Sequence, residues 1–303
     1  MSESIEPALY PFDTVMKLRA LVWREQGYVL GYLGAFPEAL AALDRADEYL
    51  TACSVADYDQ ARSTMYRALM YRELERYTEA LTLLRDARPV FLMYEDRKRV
   101  AAVDTTEAIV LMGLRKFSEA LAITLRVSAD ADLDEQSRAS ATHNAAMCYR
   151  ELSRFVEAKR LFAHAVITFE KLGLPARRAV SRWGIARVLL DEGRFEDALV
   201  LLNEVRKDFE EFGMSEDLAT ASLHAADALL VLRRPEQVAD LCRSAIRYFE
   251  RAGLAYSQPA MTALGYLREA SEQGTLDAVK IERVRNYIKI LPKQPNLLFA
   301  FSA

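Results

Sequence analysis

The chain of 303 residues has 51% hydrophobic and 28% charged residues, which is the balance of a folded globular protein. Its formal net charge of −4 provides no overall positive field, so we expect no nucleic-acid partner. The sequence contains no apolar run of about 18 residues, so we expect no direct membrane insertion.

The N-terminal residues are acidic and lack the apolar core of a signal peptide. Three cysteines, Cys53, Cys148 and Cys242, are far apart and odd in number. They are typical of small buried side chains in a reducing compartment, not of disulfide partners. We therefore expect a cytoplasmic protein.

From residue 36 onward, an aromatic residue followed three positions later by alanine recurs along the chain. The segments are Phe36–Ala39, Tyr77–Ala80, Phe117–Ala120, Phe155–Ala158 and Phe195–Ala198, followed by a degenerate copy at Pro235–Val238. Successive copies are 38 to 41 residues apart. A fixed period of this size predicts an array of repeated supersecondary units, in which each unit contacts its neighbours.

A second pattern supports the first, because a small residue lies twelve positions before the last residue of every copy. These residues are Gly27, Ala68, Ala108, Ala146, Ala186 and Ala226. A small side chain lets two helices approach closely, so that a larger side chain of the facing helix fills the space.

Each copy has apolar residues at helical spacing on both sides of a short polar turn. In the fifth copy this predicts helices over 176–190 and 196–209, joined by residues 191–194. We expect the aromatic residue to pack across this turn and close its hairpin.

These residues resemble the tetratricopeptide repeat family, in which Trp-x2-Leu-Gly-x2-Tyr on the first helix is followed by Tyr-x-x-Ala on the second. The first copy has Trp23, Gly27 and Leu30, followed by Phe36 and Ala39. The period of about 40 residues is longer than the usual 34. It is similar to long-period repeats that are common in bacterial regulators and scaffolds. The resemblance implies an all-α, right-handed α-solenoid of antiparallel helix hairpins, a tetratricopeptide-like superhelix.

The C-terminal segment departs from the repeat but keeps helical patterns over 257–271 and 276–291. We interpret it as a degenerate seventh hairpin that caps the array. The predicted organisation is an N-terminal extension at 1–14, six repeats at 15–252, the cap at 253–291 and an apolar tail at 292–303. Leu297, Leu298, Phe299 and Phe301 of the tail favour packing on the last helices, and self-association through the tail is the alternative.

In such an array, the first helices line the concave surface and present the variable residues of the repeat. Aromatic and arginine residues, which are enriched at binding hot spots, are frequent at these positions. The predicted partner-binding groove consists of Arg24, Tyr28, Arg62, Tyr66, Arg72, His143, Asn144, Arg150, Trp183, Arg187, His224 and Asp227. Trp183 is either exposed in the groove or buried by rotation of its helix, and burial is favoured because tryptophan is usually buried. Arg177, Arg178, Arg182 and Arg187 either contact an acidic peptide or, as we favour, pair with nearby acids.

Patterns for catalysis or metal binding are weak. Cys148 and His143 point about 140° apart on one helix, which does not suit a nucleophile and its base. The acidic run at 130–135 resembles the start of a calcium loop but lacks its later ligands, so we expect it to cap the next helix. We expect no enzyme activity, no cofactor and no metal.

Taken together, these residues predict a non-catalytic protein-interaction scaffold or regulatory adaptor. Its partner would be a protein or peptide, held as a peptide or helix in the concave groove. The alternative is a regulator that senses a peptide or metabolite and changes curvature to control an effector protein.

Overall fold

The computed structural model describes residues 10–254, 256–294 and 297–300, which fold as helices and short connecting turns without any strand. This confirms the predicted all-α class. The chain divides into two compact units, residues 1–152 and residues 153–303. Among the described residues, no helix combines the length and apolar character needed to cross a bilayer.

Unit 1 contains seven helices within its described residues. They are α1 (Phe12–Tyr32), α2 (Phe36–Thr51), α3 (Asp57–Glu73), α4 (Tyr77–Met93), α5 (Arg97–Gly113), α6 (Phe117–Ala129) and α7 (Glu135–Glu151). Helices α1 and α2, α3 and α4, and α5 and α6 form three successive hairpins.

Unit 2 also contains seven helices within its described residues. They are α8 (Phe155–Lys171), α9 (Pro175–Asp191), α10 (Phe195–Glu211), α11 (Ser215–Val231), α12 (Glu236–Ala252), α13 (Ser257–Glu272) and α14 (Ala278–Ile290). Helices α9 and α10 confirm the two helices predicted for the fifth copy.

The second helix of most copies begins with the same arrangement of charges. A basic residue directly before the helix pairs with an acid in its first turn. Arg76 Nε lies 2.6 Å from Glu79 Oε2, and Arg194 Nε lies 2.8 Å from Asp197 Oδ2. The acid also opposes the positive end of the helix dipole, so these pairs favour helix starts at the aromatic residue.

Tight turns join the helices of each hairpin, with one residue in the left-handed region. Glycine occupies this place at Gly193, whereas Glu75 and Arg115 adopt it with φ of 59°. The next amide donates back into the last helical turn, as from Arg76 N to Tyr71 O at 2.8 Å. This is the Schellman arrangement, which satisfies the carbonyls at the helix end.

Close helix contacts occur at the predicted small residues. A Cβ added to Gly27 would lie 3.0 Å from Ala39 O and 3.1 Å from Leu43 Cγ, so α1 and α2 touch there through their backbones.

The predicted packing of the aromatic residue is corrected in one respect. The Tyr77 ring reaches beyond its own hairpin to Gly113 at the end of α5, where an added Cβ would lie 2.5 Å from Cζ.

The C-terminal part of unit 2 has one continuous core that includes Ile281, Val284 and Ile288 of α14. Phe299 of the tail packs on Tyr287 with ring centroids 4.9 Å apart, whereas Leu298 is 86% exposed. The tail is therefore partly packed on the last helices, as favoured above. Phe301 lies outside the described residues.

Two helical glycines in unit 2 should respond to alanine in opposite ways. A Cβ on Gly184 would lie 2.5 Å from Cζ of the fully buried Phe162, whereas a Cβ on Gly265 meets no neighbouring atom within 4 Å. We expect Gly184→Ala to lower the free energy of unfolding by about 1–2 kcal/mol, because overpacking exceeds the gain in helix propensity. Gly265→Ala should raise it by up to about 1 kcal/mol. Urea unfolding measures both, and shifts of the same sign would contradict the packing described.

Candidate partner-binding faces

Helices α1 and α3 of unit 1 present a surface that we call the N-terminal face, defined by Glu25, Tyr28, Asp59, Arg62 and Tyr66. Tyr28 and Tyr66 stack with ring centroids 4.9 Å apart at a tilt of 32°. Tyr66 is buried beneath this contact, and Tyr28 is 42% exposed. Tyr28 is therefore the accessible part of an aromatic platform whose base is held by the core.

A charge network lies beside the two tyrosines. Arg24 Nη1 donates to Asp59 Oδ1 at 2.9 Å, and Arg62 Nη2 donates to Glu25 Oε1 at 3.1 Å. The two longer contacts are 3.5 Å from Arg24 to Glu25 and 3.8 Å from Arg62 to Asp59. Two positive and two negative side chains thus tie α1 to α3 with no net charge.

Arg24 does not lie on the surface as predicted. Only 1% of the residue is exposed, because it lies between α1 and α3 with Asp59 beside it. The prediction that Arg24 lines an open groove is corrected accordingly. Its role in this structure is to connect two first helices.

Arg72 and Arg150 of the predicted groove are also paired with carboxylates. Arg72 Nε donates to Glu73 at 3.0 Å, and Arg150 Nη1 donates to Glu151 at 2.7 Å. These arginines, together with Arg62, are matched by acids on the same helices or their neighbours. The first-helix surface of unit 1 is consequently a mixed polar surface with aromatic residues, not a basic groove.

Helix α7 carries two further residues of the predicted groove. His143 and Asn144 are both half-buried, so part of each side chain reaches the surface. Their role in partner binding stays a prediction.

In unit 2, α9 and α11 present what we call the C-terminal face, defined by Trp183, Arg187, His224 and Asp227. Trp183 Nε1 donates to His224 Nδ1 at 3.2 Å, which requires that this imidazole nitrogen carry no proton. The Trp183 ring also meets Phe209 edge-on at 5.6 Å, and the Arg187 guanidinium lies 5.8 Å from its centroid. Trp183 is half-buried, which lies between the two alternatives considered from the sequence.

Asp227 is bound by the last helix of the chain. Arg285 of α14 donates to its carboxylate, and α14 packs against α11 as well as α13. Burial raises the pKa of Asp227, and the positive charge of Arg285 opposes that rise. The prediction that Asp227 binds a partner is therefore corrected. Helix α14 of the same chain lies on α11, and its Arg285 occupies the Asp227 carboxylate.

The arginines of α9 pair with acids, in line with the interpretation we favoured. Arg182 Nη1 donates to Asp208 at 2.9 Å, and Arg178 Nη1 donates to Glu170 at 3.1 Å. These two pairs join α9 to its neighbours α10 and α8, so they stabilise the helix array.

The candidate nucleophile Cys148 is fully buried, and burial raises the pKa of its thiol to about 12. At neutral pH it stays protonated and shielded from any substrate.

In the acidic run, Asp134 accepts from the Ser137 backbone N–H at 2.8 Å and caps α7, as expected. Across the described residues, no group of three or more His, Cys, Asp or Glu side chains is placed to hold a metal ion.

Asp59, Glu25 and Arg285 were not identified from the sequence. Asp59 lies three residues before Arg62, and helical spacing could have indicated that pair. Arg285 offered no such indication, because its partner is on a helix far away in the sequence.

Thiol reactivity should separate the three cysteines. Burial raises the pKa values of Cys148 and Cys242 to about 12, whereas Cys53 is only half-buried. With Ellman's reagent at pH 8 we expect one thiol to react in the folded protein and all three in denaturant. A Cys53→Ser variant should show no reactive thiol until it unfolds. Rapid reaction of Cys148 in the folded protein would contradict its burial.

The pair between Asp227 and Arg285 should contribute more to stability than an exposed pair. Removing the cation in Arg285→Met leaves a half-buried carboxylate without compensation, which should cost about 1–2 kcal/mol at pH 7. The matched control is Arg251→Met, whose pair with Glu210 is exposed and should contribute less than about 0.5 kcal/mol. Urea unfolding of both variants measures the difference. Equal losses would show that α14 is not anchored through this pair.

Stacked helix hairpins with variable surfaces on the first helices define a helical-repeat protein. Residues 137–211 match the family model described as tetratricopeptide repeat. This match, over about a quarter of the chain, confirms the resemblance to tetratricopeptide repeats seen in the sequence. No curated protein matches the chain.

Solved structures with the same fold cover nearly the whole chain. The apo form of RapI has a TM-score of 0.65 at 16% identity, with 91% of this chain and 98% of that chain covered. A Rap protein complexed with Competence and Sporulation Factor has a TM-score of 0.63 at 15% identity, covering 97% and 79%. A signal transduction ATPase with a tetratricopeptide repeat sensor, from Pyrococcus horikoshii, has a TM-score of 0.67 at 13% identity, covering 94% and 44%. At these identities the likeness concerns the fold.

Proposed function

We propose that this chain is a non-catalytic interaction scaffold that holds an amphipathic helix or peptide of a partner protein on its first-helix surfaces. The N-terminal face is the main site in this proposal, and Tyr28 is its principal anchor. The unpaired cysteines support a reducing, cytoplasmic setting for this interaction.

The observation that carries the proposal is the docking of α14 on α11. Helix α14 is amphipathic: Ile281, Val284 and Ile288 are buried, while Arg285 binds Asp227. The first helix of the sixth copy, α11, thus binds another helix, α14, through apolar residues and one charged pair. This is the contact expected for helix-in-groove recognition.

The N-terminal face offers the corresponding positions for a helix from another protein. Tyr28 follows the small residue Gly27 directly, just as Asp227 follows Ala226. Tyr66 and His224 likewise share a position, two residues before the small residue of their copies. A partner helix on the N-terminal face would therefore meet the exposed ring of Tyr28 at the position where α14 meets Asp227.

The charges of the N-terminal face favour an anchor that is mainly apolar. Because Arg24 and Arg62 are compensated by Glu25 and Asp59, a partner gains little long-range attraction from them. Tyrosine supplies large contact area and a hydroxyl that can donate or accept a hydrogen bond. Partner binding should consequently depend weakly on salt concentration.

The test is a comparison of partner binding by two variants of aromatic residues on α1. The wild-type protein is used to capture partners from its native host, and the affinity of the isolated partner is then measured by calorimetry. Tyr28→Ala should weaken binding about tenfold or more, which corresponds to roughly 1.4 kcal/mol or more for a hot-spot aromatic residue. Raising the salt concentration from 0.1 to 0.5 M, a range chosen to shorten the Debye length about twofold, should change affinity by less than about threefold.

Phe12→Ala is the matched control, because Phe12 is an exposed aromatic residue on the same helix but lies about 24 Å from Tyr28 along the helix axis. It should bind the partner as the wild-type protein does. Tyr66→Ala is unsuitable alone, since Tyr66 is buried and its truncation also disturbs packing. Unchanged affinity in Tyr28→Ala, or equal losses in both variants, would reject the N-terminal face.

A second candidate function is ligand sensing, in which a bound peptide or metabolite changes the arrangement of the repeats. The docking of α14 favours it, because a ligand that competes for Asp227 would displace α14 from α11. A protein of this fold is described as carrying a repeat sensor, which supports the same idea. Limited proteolysis within residues 278–290 discriminates the two: faster cleavage with the bound partner favours sensing, and unchanged cleavage favours the scaffold.

A further inference from the structure

Helix α1 and the residue directly after it carry an exposed apolar stripe that borders Tyr28, which lies about 20° from Leu21 around the helix. The stripe consists of Leu18, Leu21, Val22, Val29, Tyr32 and Leu33, and all six side chains are exposed. At 100° per residue they fall within an arc of about 120°. The core-facing residues Ala20, Arg24 and Gly27 lie on the other side of the helix. An apolar surface of this extent on a terminal helix marks an interaction site.

Four of the six stripe residues are symmetric about a point between Glu25 and Gln26. Leu18 and Leu33 are equally distant from that point, and so are Val22 and Val29. When two identical helices pack antiparallel about a two-fold axis, each residue meets the one at the mirror position of its partner. Leu18 would then meet Leu33 and Val22 would meet Val29, whereas Leu21 would meet Leu30 and Tyr32 would meet Arg19.

The polar residues at the centre also complement each other. At the two-fold axis, the Glu25 carboxylate of one chain lies opposite the Gln26 amide of the other, and a carboxylate accepts from an amide N–H. Glu25 is partly exposed, although it also accepts from Arg62 in its own chain. No like charges oppose one another in this arrangement.

We propose that the chain forms a two-fold symmetric homodimer through antiparallel packing of α1 on α1 of a second copy. The register places Leu18 on Leu33, Val22 on Val29, and Glu25 on Gln26. This arrangement goes beyond the proposed scaffold function, but its seam shares Glu25 with the N-terminal face and borders Tyr28, so a second copy and a partner on that face would compete for one side of α1.

The length of α1 sets the strength of this dimer. Its 21 residues span about 31 Å, so one helix pair buries less than a standard interface of about 1,600 Å². Interfaces of this size are weak, and we expect a dissociation constant on the order of micromolar to tens of micromolar.

Sedimentation equilibrium of the full chain, from about 1 to 500 µM to bracket that range, tests the dimer. We expect a reversible monomer–dimer equilibrium that Val22→Glu with Val29→Glu weakens at least tenfold, because like charges then face each other across the seam. The matched control is Val156→Glu with Val200→Glu, which places the same charges on exposed valines of α8 and α10 and should leave the equilibrium unchanged. Circular dichroism establishes that both double variants are folded.

A crosslinking experiment tests the register without adding charge. Gln26→Cys in a Cys53→Ser background places one reactive thiol per chain beside the two-fold axis, since Cys148 and Cys242 are buried. A short bis-maleimide should link two Gln26→Cys chains efficiently, and Val156→Cys in the same background should give little product. A monomer at every concentration overturns the proposal, as does a dimer that depends on Leu298 of the tail and survives the α1 substitutions.

Discussion

The close approach of helix backbones at one small residue in each first helix is the constraint on which this structure depends. At Gly27 the space for a Cβ is already taken by Ala39 O and Leu43, and the corresponding alanines of the other copies, Ala68, Ala108, Ala146, Ala186 and Ala226, are all buried. A larger residue at these places would separate the helices and open the core behind them. Because packing is secured at so few positions, the remaining first-helix residues can differ between copies, and the binding surfaces are built from those residues.

The arginines of the first helices illustrate how the fold uses charge. The sequence predicts Arg24 and Arg62 in the partner-binding groove and favours pairing with acids for Arg182; in the structure all three are engaged with carboxylates of neighbouring helices. Each such pair is worth little by itself at a surface, but a network that spans two helices also sets their register. The aromatic residues between the pairs then supply most of the binding energy. Recognition therefore depends more on buried contact area than on long-range electrostatic attraction.

Helix α14 shows how the end of the array is closed. Instead of only pairing with α13, it lies on α11 and places Arg285 on Asp227. The apolar face of α14 and Phe299 of the tail complete the core of unit 2. A first-helix surface, the kind that we propose for partner binding, is thus covered at α11 by α14 of the same chain. At the other end, α1 exposes an apolar stripe that a second copy would cover.

The sequence by itself determined the all-α fold, the helix hairpins and the small contact residues, because these depend on periodicity and on side-chain size, which are local properties of the chain. It also indicated Tyr28 and Trp183 as surface candidates, since first-helix positions follow from the repeat. Only the tertiary structure decided that Arg24 is enclosed and that Asp227 belongs to α14. Such outcomes depend on which distant carboxylate or guanidinium arrives beside a side chain, and spacing along one helix carries no information about that.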